Sequence, residues 1–301
     1  MEQIPIDSHF AGNQTQLSQK KLAKFFSDCK RFIITQPIGA ISLAFIFLVV
    51  LVAIFAPVIA PYDPVAQNRQ AFLAAPSGEH LMGTDDLGRD VFSRIVFGSR
   101  ISLLVGFASV FFSMIAGIVF GVISGYFGRW IDMVIQRVMD AIMGIPPLIL
   151  ALFIAALLGP AIRNVIIALV IVETPRFARI VRGEMLRIRE MNYVEASRSV
   201  GASVFRIIYK HALPNMVAPI IILSSLAFGA SIIAEASLSF LGIGTPPPHP
   251  SWGLMLSGAS RYMENAPWLV LFPGIALGLC VLAFNLLGDA LRDFLDPKIS
   301  S

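Results

Sequence analysis

Three groups of residues in this 301-residue chain have side-chain types and spacing that could do chemistry. The first is the polar, basic stretch Asn192–Asn215, NYVEASRSVGASVFRIIYKHALPN, set between two apolar runs. A short helix over 192–200 would carry Asn192 as its cap and Glu195 in its first turn, where a carboxylate is favoured. Gly201 allows the left-handed backbone that ends a helix, a second short helix follows over 201–211, and Pro214 begins the next apolar run. Such a segment holds no nucleophile or ligand set. It can bind a partner and pass a push to the helices at its two ends, or it can be an ordinary basic loop with a glycine turn. The second group is Glu173 and Arg176, three apart in an apolar run and so on one helical face. Charges in such a setting are costly and face a cavity or a partner; these two are either pathway or gate residues or an ion pair between helices. The third is Glu235, which either lines a pathway or braces the loop that follows it.

No catalytic constellation accompanies them. The phosphate-cradling pattern G-x-x-x-x-G-K-[ST] is absent, as is H-E-x-x-H, and His9, His80, His211 and His249 are scattered without metal-ligand spacing. Cys29 falls in the N-terminal tail and Cys280 in the last apolar run, so neither suggests a disulfide framework.

The elements that must position these residues are membrane spans. Mean hydropathy is +0.77 and only 14% of residues are charged, too apolar for a water-soluble domain. A helix across a bilayer needs roughly 20 apolar residues. Charge-free stretches of that order lie at 32–62, 101–128, 141–162, 212–234 and 265–288. A sixth apolar stretch opens at Asn164–Val172, is interrupted by Glu173 and Arg176, and resumes as far as Val181. The fold class is therefore all-α polytopic, with six transmembrane helices near 38–60, 101–125, 131–158, 162–181, 216–238 and 268–287. The third should kink at Pro146-Pro147, and Gly106, Gly117, Gly121 and Gly125 should let another helix approach the second closely. Thr84 or Asp85 is a candidate cap for a short helix near Asp86, Pro246-Pro247-Pro248 for a stiff extended strand, and Trp252 and Trp268 for interface anchors.

Net charge is +4, but the basic residues sit at membrane edges, which speaks against nucleic acid. Lys20, Lys21, Lys24, Lys30 and Arg31 precede the first span, and Arg187, Arg189, Arg198, Arg206 and Lys210 surround the Glu195 segment. By the positive-inside rule both clusters, and both termini, are cytosolic. Asp132, Arg137 and Asp140 read as an inner-end charge network. Residues 1–36 form a tail in which 17–34 is either a basic amphipathic helix on the membrane surface or a flexible segment. The late, long first apolar stretch is not a cleavable signal peptide.

The 192–215 stretch closely resembles the "EAA" loop of permease subunits of bacterial ATP-binding-cassette importers. That pattern is Glu-Ala-Ala, three residues, Gly, nine residues, Ile, one residue, Leu-Pro. Glu195, Ala196, Gly201, Leu213 and Pro214 match at that spacing, while Ser197 replaces the second Ala and His211 replaces the Ile. GTDDLGRDVFSR (83–94), EASLSFLGIGTPPPHPSWG (235–253) and FNLLGDALRDFLDPK (284–298) narrow the resemblance to the C-type permease of dipeptide, oligopeptide and nickel importers. It covers about residues 37–298, leaving 299–301 as a C-terminal end.

The resemblance implies the type I importer permease (MetI-like) fold, with a transmembrane domain over 37–298 and a coupling loop over 192–214 that docks on a cytosolic ATPase. It implies no catalysis and no cofactor in this chain, ATP and Mg being bound by partner subunits. The implied partners are a B-type permease, two ATP-binding subunits, an extracytoplasmic solute-binding protein, membrane lipid and a peptide substrate, in a bacterial inner membrane. Nickel or metal chelates, glutathione and opines remain alternatives as cargo. A secondary transporter working without an ATPase is the rival class; it often shows repeated halves, and no internal repeat is visible here.

Overall fold

A computed structural model describes residue 27 and residues 29–295 of the chain. Among the described residues the regular elements are all helical, and the one β-type pairing is an isolated bridge between Thr84 and Asp90. Residues 29–35 are helical and lead to α1 (Pro37–Ile54), followed by the short α2 (Ala56–Ile59). After a long loop come α3 (Val91–Phe127), α4 (Arg129–Met143), α5 (Pro147–Leu158) and α6 (Ile162–Arg189). The elbow follows as α7 (Asn192–Ser199) and α8 (Val204–Ile207), a π turn over Ile208–Ala212, and α9 (Leu213–Phe240). A second loop carries α10 (Trp252–Ala259), and α11 (Trp268–Leu295) closes the bundle. The bundle has an elbow end, with residues 190–212, and a loop end, with 61–90 and 241–267.

Four helices are each long and apolar enough to cross a membrane: α1, α3, the run Val204–Phe240 containing α9, and α11. The expected third span is not one kinked helix. It is two pieces, α4 and α5, bent by 90° at Gly144–Pro146. Pro147 starts α5, and Pro146 before it sits in extended backbone, as a residue preceding proline prefers. Tandem prolines thus break the helix where one would have kinked it. As a single span this pair makes five. The expected fourth span, α6, has 28 residues, but its charges leave it less apolar than the others. The α5–α6 turn is closed by Asn164, whose Nδ2 donates to the Leu158 and Gly159 carbonyls at 2.7 and 2.8 Å.

Several local expectations change. Asp90, not Thr84 or Asp85, caps α3: its carboxylate accepts from Ser93 N and Ser93 Oγ, both at 2.7 Å. Asp85 organises the loop instead, accepting from Leu87 N, Arg89 N and Arg89 Nε. The proline run turns at Pro247-Pro248 and is not a straight strand. Trp252 is only 2% exposed, with Nε1 donating to the Ile95 carbonyl at 3.1 Å; it is a core residue rather than an interface anchor. Trp268 is half-buried and donates to the Thr84 carbonyl. Of the segment 17–34, residues 17–26 and 28 lie outside the described residues; further on, Phe32 is buried edge-on against Phe294, 5.3 Å between centroids.

The glycines of α3 act as expected. A Cβ at Gly117 would lie 2.2 Å from Phe177 Cβ, at Gly121 2.6 Å from the Ala178 carbonyl, and at Gly125 2.7 Å from Met185 Cβ. One glycine every turn therefore opens a groove in α3 into which α6 fits along most of its length. Gly117→Val should destabilise the fold by about 1–3 kcal/mol through overpacking. Gly183→Ala, where nothing lies within 4 Å of the new methyl, should not. Thermal unfolding of the purified protein in detergent checks this; equal midpoints for the two variants would mean that the seam is not tight.

Candidate functional site

The elbow is built as its residues dictate, with small differences. Helix α7 spans Asn192–Ser199, with Met191 rather than Asn192 at the N-cap position, no side-chain cap bond there, and Glu195 in its first turn. It ends in a left-handed Gly201, φ +79°. Gly201 N donates to the Arg198 carbonyl at 2.9 Å and Ala202 N to the Ser197 carbonyl at 3.0 Å. These two bonds form the Schellman arrangement that satisfies the last carbonyls of a helix. Ser203 then caps α8, its hydroxyl accepting from Arg206 N at 3.3 Å.

The second short helix does not stop before the membrane span. It widens into the π turn over Ile208–Ala212 and continues as α9, so that Val204–Phe240 is one 37-residue helical run. Pro214 explains the widening: a helical proline lacks an N–H and its ring crowds the carbonyl four residues back, here Lys210. The bond that marks the π turn runs from Leu213 N to the Ile208 carbonyl.

Apolar contacts hold the elbow to the bundle. Val194, Ile207, Ala212 and Met216 are buried with Val181, Met185 and Ile188 of α6 and Val122 of α3. Arg189 reaches across to the Gly125 and Tyr126 carbonyls, 3.3 and 3.2 Å, covering the last turn of α3. Arg198 of α7 lies 5.3 Å over the Tyr126 ring. The outer face stays open: Val200 is 85% and Phe205 76% exposed, and Phe205 stacks on Tyr209, also exposed. Glu195, Ala196, Gly201 and Pro214 are exposed too, while Ser197 and Leu213 are half-buried.

The two positions that depart from the motif face each other. Ser197 Oγ lies 3.3 Å from His211 Nε2, and the Tyr193 ring packs 5.7 Å from the imidazole. Sequence reasoning missed both this contact and Tyr193. The available signal was that two apolar motif positions had become polar together.

The other candidates are placed apart from the elbow. Arg176 Nη1 is 3.4 Å from Glu173 Oε2, an ion pair within α6, with Glu173 buried and Arg176 exposed. Glu235 is 1% exposed near the loop end of α9. Its carboxylate accepts from Ser102 Oγ of α3 at 3.1 Å and Ser239 Oγ at 2.7 Å. Ser239 Oγ also accepts from Thr245 N, and Ser102 Oγ from Trp252 N. This places Glu235 as a knot joining α3, α9, the second loop and α10. The inner-end charge network pairs differently from the sequence reading. Asp132 takes both Arg182 Nε and Nη2 at 2.6 Å, and Asp140 takes Arg179 Nη2 at 2.9 Å. Both partners come from α6; Arg137 is in none of the ion pairs found among the described residues.

A family model described as "Binding-protein-dependent transport system inner membrane component" matches residues 117–301. A second, the "N-terminal TM domain of oligopeptide transport permease C", matches residues 29–76. The chain belongs to the binding-protein-dependent permease family. The dipeptide transport system permease protein DppC of Alkalihalophilus pseudofirmus is 46% identical over 264 residues, covering 88% of this chain and 87% of that protein. The di/tripeptide permease DppC of Pseudomonas aeruginosa is 44% identical, covering 87% and 89%. The glutathione permease GsiD of Pectobacterium atrosepticum is 42% identical, covering 90% of each. Among solved structures, a chain of the inward-facing MetNI methionine ABC transporter aligns with a TM-score of 0.57 and 20% identity. It covers 68% of this chain and 98% of its own length, so the shared fold is MetI-like. The permease is thus a multi-pass membrane transport subunit and not a catalytic enzyme.

In this permease the Gly201 turn is strained for any other residue but sterically free, since nothing lies within 4 Å of an added Cβ. Gly201→Ala should cost about 1–2 kcal/mol through left-handed strain alone. Hydrogen–deuterium exchange over 192–204 should then be faster than in the wild type. Unchanged exchange would show that the turn does not depend on glycine.

Proposed function

We propose that the chain is one permease half of an ATP-driven importer for short peptides, and that residues 192–214 are its coupling loop. The observation that carries this reading is mechanical. A compact, motif-bearing helix, α7, is joined through four residues to a helical run that continues unbroken into α9. A force on α7 reaches α9 directly through that run and reaches α6 through the shared apolar cluster. In this reading Glu195, Ala196, Ser197 and Gly201 present the docking face, and Leu213 and Pro214 start the driven helix. Nucleotide and Mg are held by two cytosolic ATPase subunits, and solute arrives on an extracytoplasmic binding protein. A B-type permease supplies the other half of the pathway. Glu173 and Arg176 remain the candidates for the pathway or gate, and Glu235 acts as a brace at the loop end.

Peptide cargo is supported by the relatives' names, two of which specify di- or tripeptides; glutathione, itself a short peptide, is the second reading. The 37–298 domain lies in the bacterial inner membrane. The elbow end and both termini face the cytosol, as the basic residues around 187–210 favour.

Cysteine labelling in intact cells tests the orientation. A cysteine at position 86 or 247 should react with an impermeant reagent and one at 198 should not; the reverse pattern would overturn the topology. Transport in vesicles tests the function. The chain alone should move no solute and hydrolyse no ATP, while the complete assembly should do both and stop when an ATPase Walker lysine is replaced. Gly201→Asp should abolish uptake while leaving membrane insertion intact. Solute flux through the isolated chain, driven by an ion gradient, would favour a secondary transporter.

A further inference from the structure

We propose that Tyr193, Ser197 and His211 form a polar lock fixing the angle between α7 and the base of α9, and that this lock sets how much solute moves per ATP hydrolysed. The proposal rests on the coupling-loop reading above.

The need for a lock follows from the chain path. Between α7 and α8 the backbone has only Val200–Ser203, which includes the left-handed Gly201 with open space around it. That is a hinge. A lever joined to its load through a hinge moves the load only if something else holds the angle. The apolar contacts of Val194 with Ile207 and Ala212 oppose separation but are not directional. Hydrogen bonds are directional, and in the structure two join α7 to the base of α9, Ser197 with His211 and Asn215 with Tyr193.

The donors can be assigned. Ser197 Oγ donates its one proton to the Tyr193 carbonyl, 2.9 Å away in the preceding turn. Its lone pairs are then left for His211, so His211 Nε2 carries the proton and donates across the hinge at 3.3 Å. The His211 carbonyl accepts from Asn215 Nδ2 at 2.6 Å, which fixes the π turn on which the imidazole rides. The Tyr193 ring closes the other side of the imidazole at 5.7 Å, and its hydroxyl reaches Asn215 Nδ2 at 3.5 Å. Tyr193 and Ser197 stand one turn apart on α7, and His211 and Asn215 one turn apart across the π turn and α9. Two ladders of the same pitch therefore meet across the hinge. These three are positioning residues; none needs to touch nucleotide or solute.

The test uses the complete importer in liposomes, with labelled dialanine as solute, and reads dialanine imported per ATP hydrolysed. Co-purification of the ATPases is measured alongside. Ser197→Ala and His211→Ala should each lower the ratio by about fivefold, roughly what one net hydrogen bond can hold. The double variant should be no worse than either single, as for one shared interaction. His211→Gln, which keeps an N–H donor, should recover most of the loss, and ATPase co-purification should persist in the two His211 single variants. Unchanged ratios in the singles, additive losses in the double, or no recovery by His211→Gln would overturn the lock. Gly201→Asp run in parallel separates the two readings. If it is inactive while the lock variants couple normally, only the lock fails; if it transports normally, the coupling loop itself fails.

Discussion

Close approach of α3 and α6 is the constraint on which the other placements depend. Three glycines at four-residue spacing remove the side chains that would hold the helices apart, and α6 occupies the space. Because the two backbones are nearly in contact, the end of α6 arrives beside the end of α3, where Arg189 can cover the Gly125 and Tyr126 carbonyls. That junction is the platform for the elbow. Arg198 lies over Tyr126, and Val194 enters the cluster formed by Val181, Met185 and Ile188. Without the seam, α7 would hang from a loop rather than rest on two helices.

Two kinds of polar joint hold the bundle. At the elbow end, arginines of α6 meet aspartates of α4, so the amphipathic α4 is tied to α6 at Asp132 and Asp140. At the loop end, Glu235 has only hydroxyl partners, and those hydroxyls in turn hold backbone N–H groups of the second loop and α10. The joint between α4 and α6 is made by ion pairs and the Glu235 knot by hydroxyls, while a separate set of ion pairs, Arg89 and Arg94 on Asp85, holds the first long loop. The elbow belongs to the first kind of surroundings and the brace to the second.

Much of this was legible in residue order, and the failures have physical causes. The apolar runs that became α1, α3, α9 and α11 were plain because length and hydropathy decide a span. Gly117, Gly121 and Gly125 were readable as a seam because one spacing, repeated, implies one face. The Gly201 turn and the helix before it followed from local chemistry. The break between α4 and α5 was read as a kink, because sequence does not say whether a neighbour will hold a proline-disrupted helix straight. Asp132 and Asp140 were grouped with Arg137, their neighbour in sequence, whereas α6 supplied partners about 40–50 residues away. Trp252 was placed at an interface by residue type, which cannot foresee that Ile95 and Ser102 would enclose it. The Ser197–His211 contact needed the π turn, and no residue pattern announces a π turn except the proline that follows it.

The charged character of α6 also bears on how the protein is made. A translocating machine that weighs each segment alone would charge roughly 2.5–3.5 kcal/mol for each central Arg, Lys or Asp, and α6 carries Glu173 and Arg176 near its middle. Such a helix is better accommodated by a protein surface than by lipid alone. It can leave the translocation channel as the second arm of a hairpin with α5, whose turn is already sealed by Asn164, and enter the groove that α3 has kept open. The glycine groove of α3, which precedes α6 in the chain, offers that helix a protein surface to enter in place of lipid.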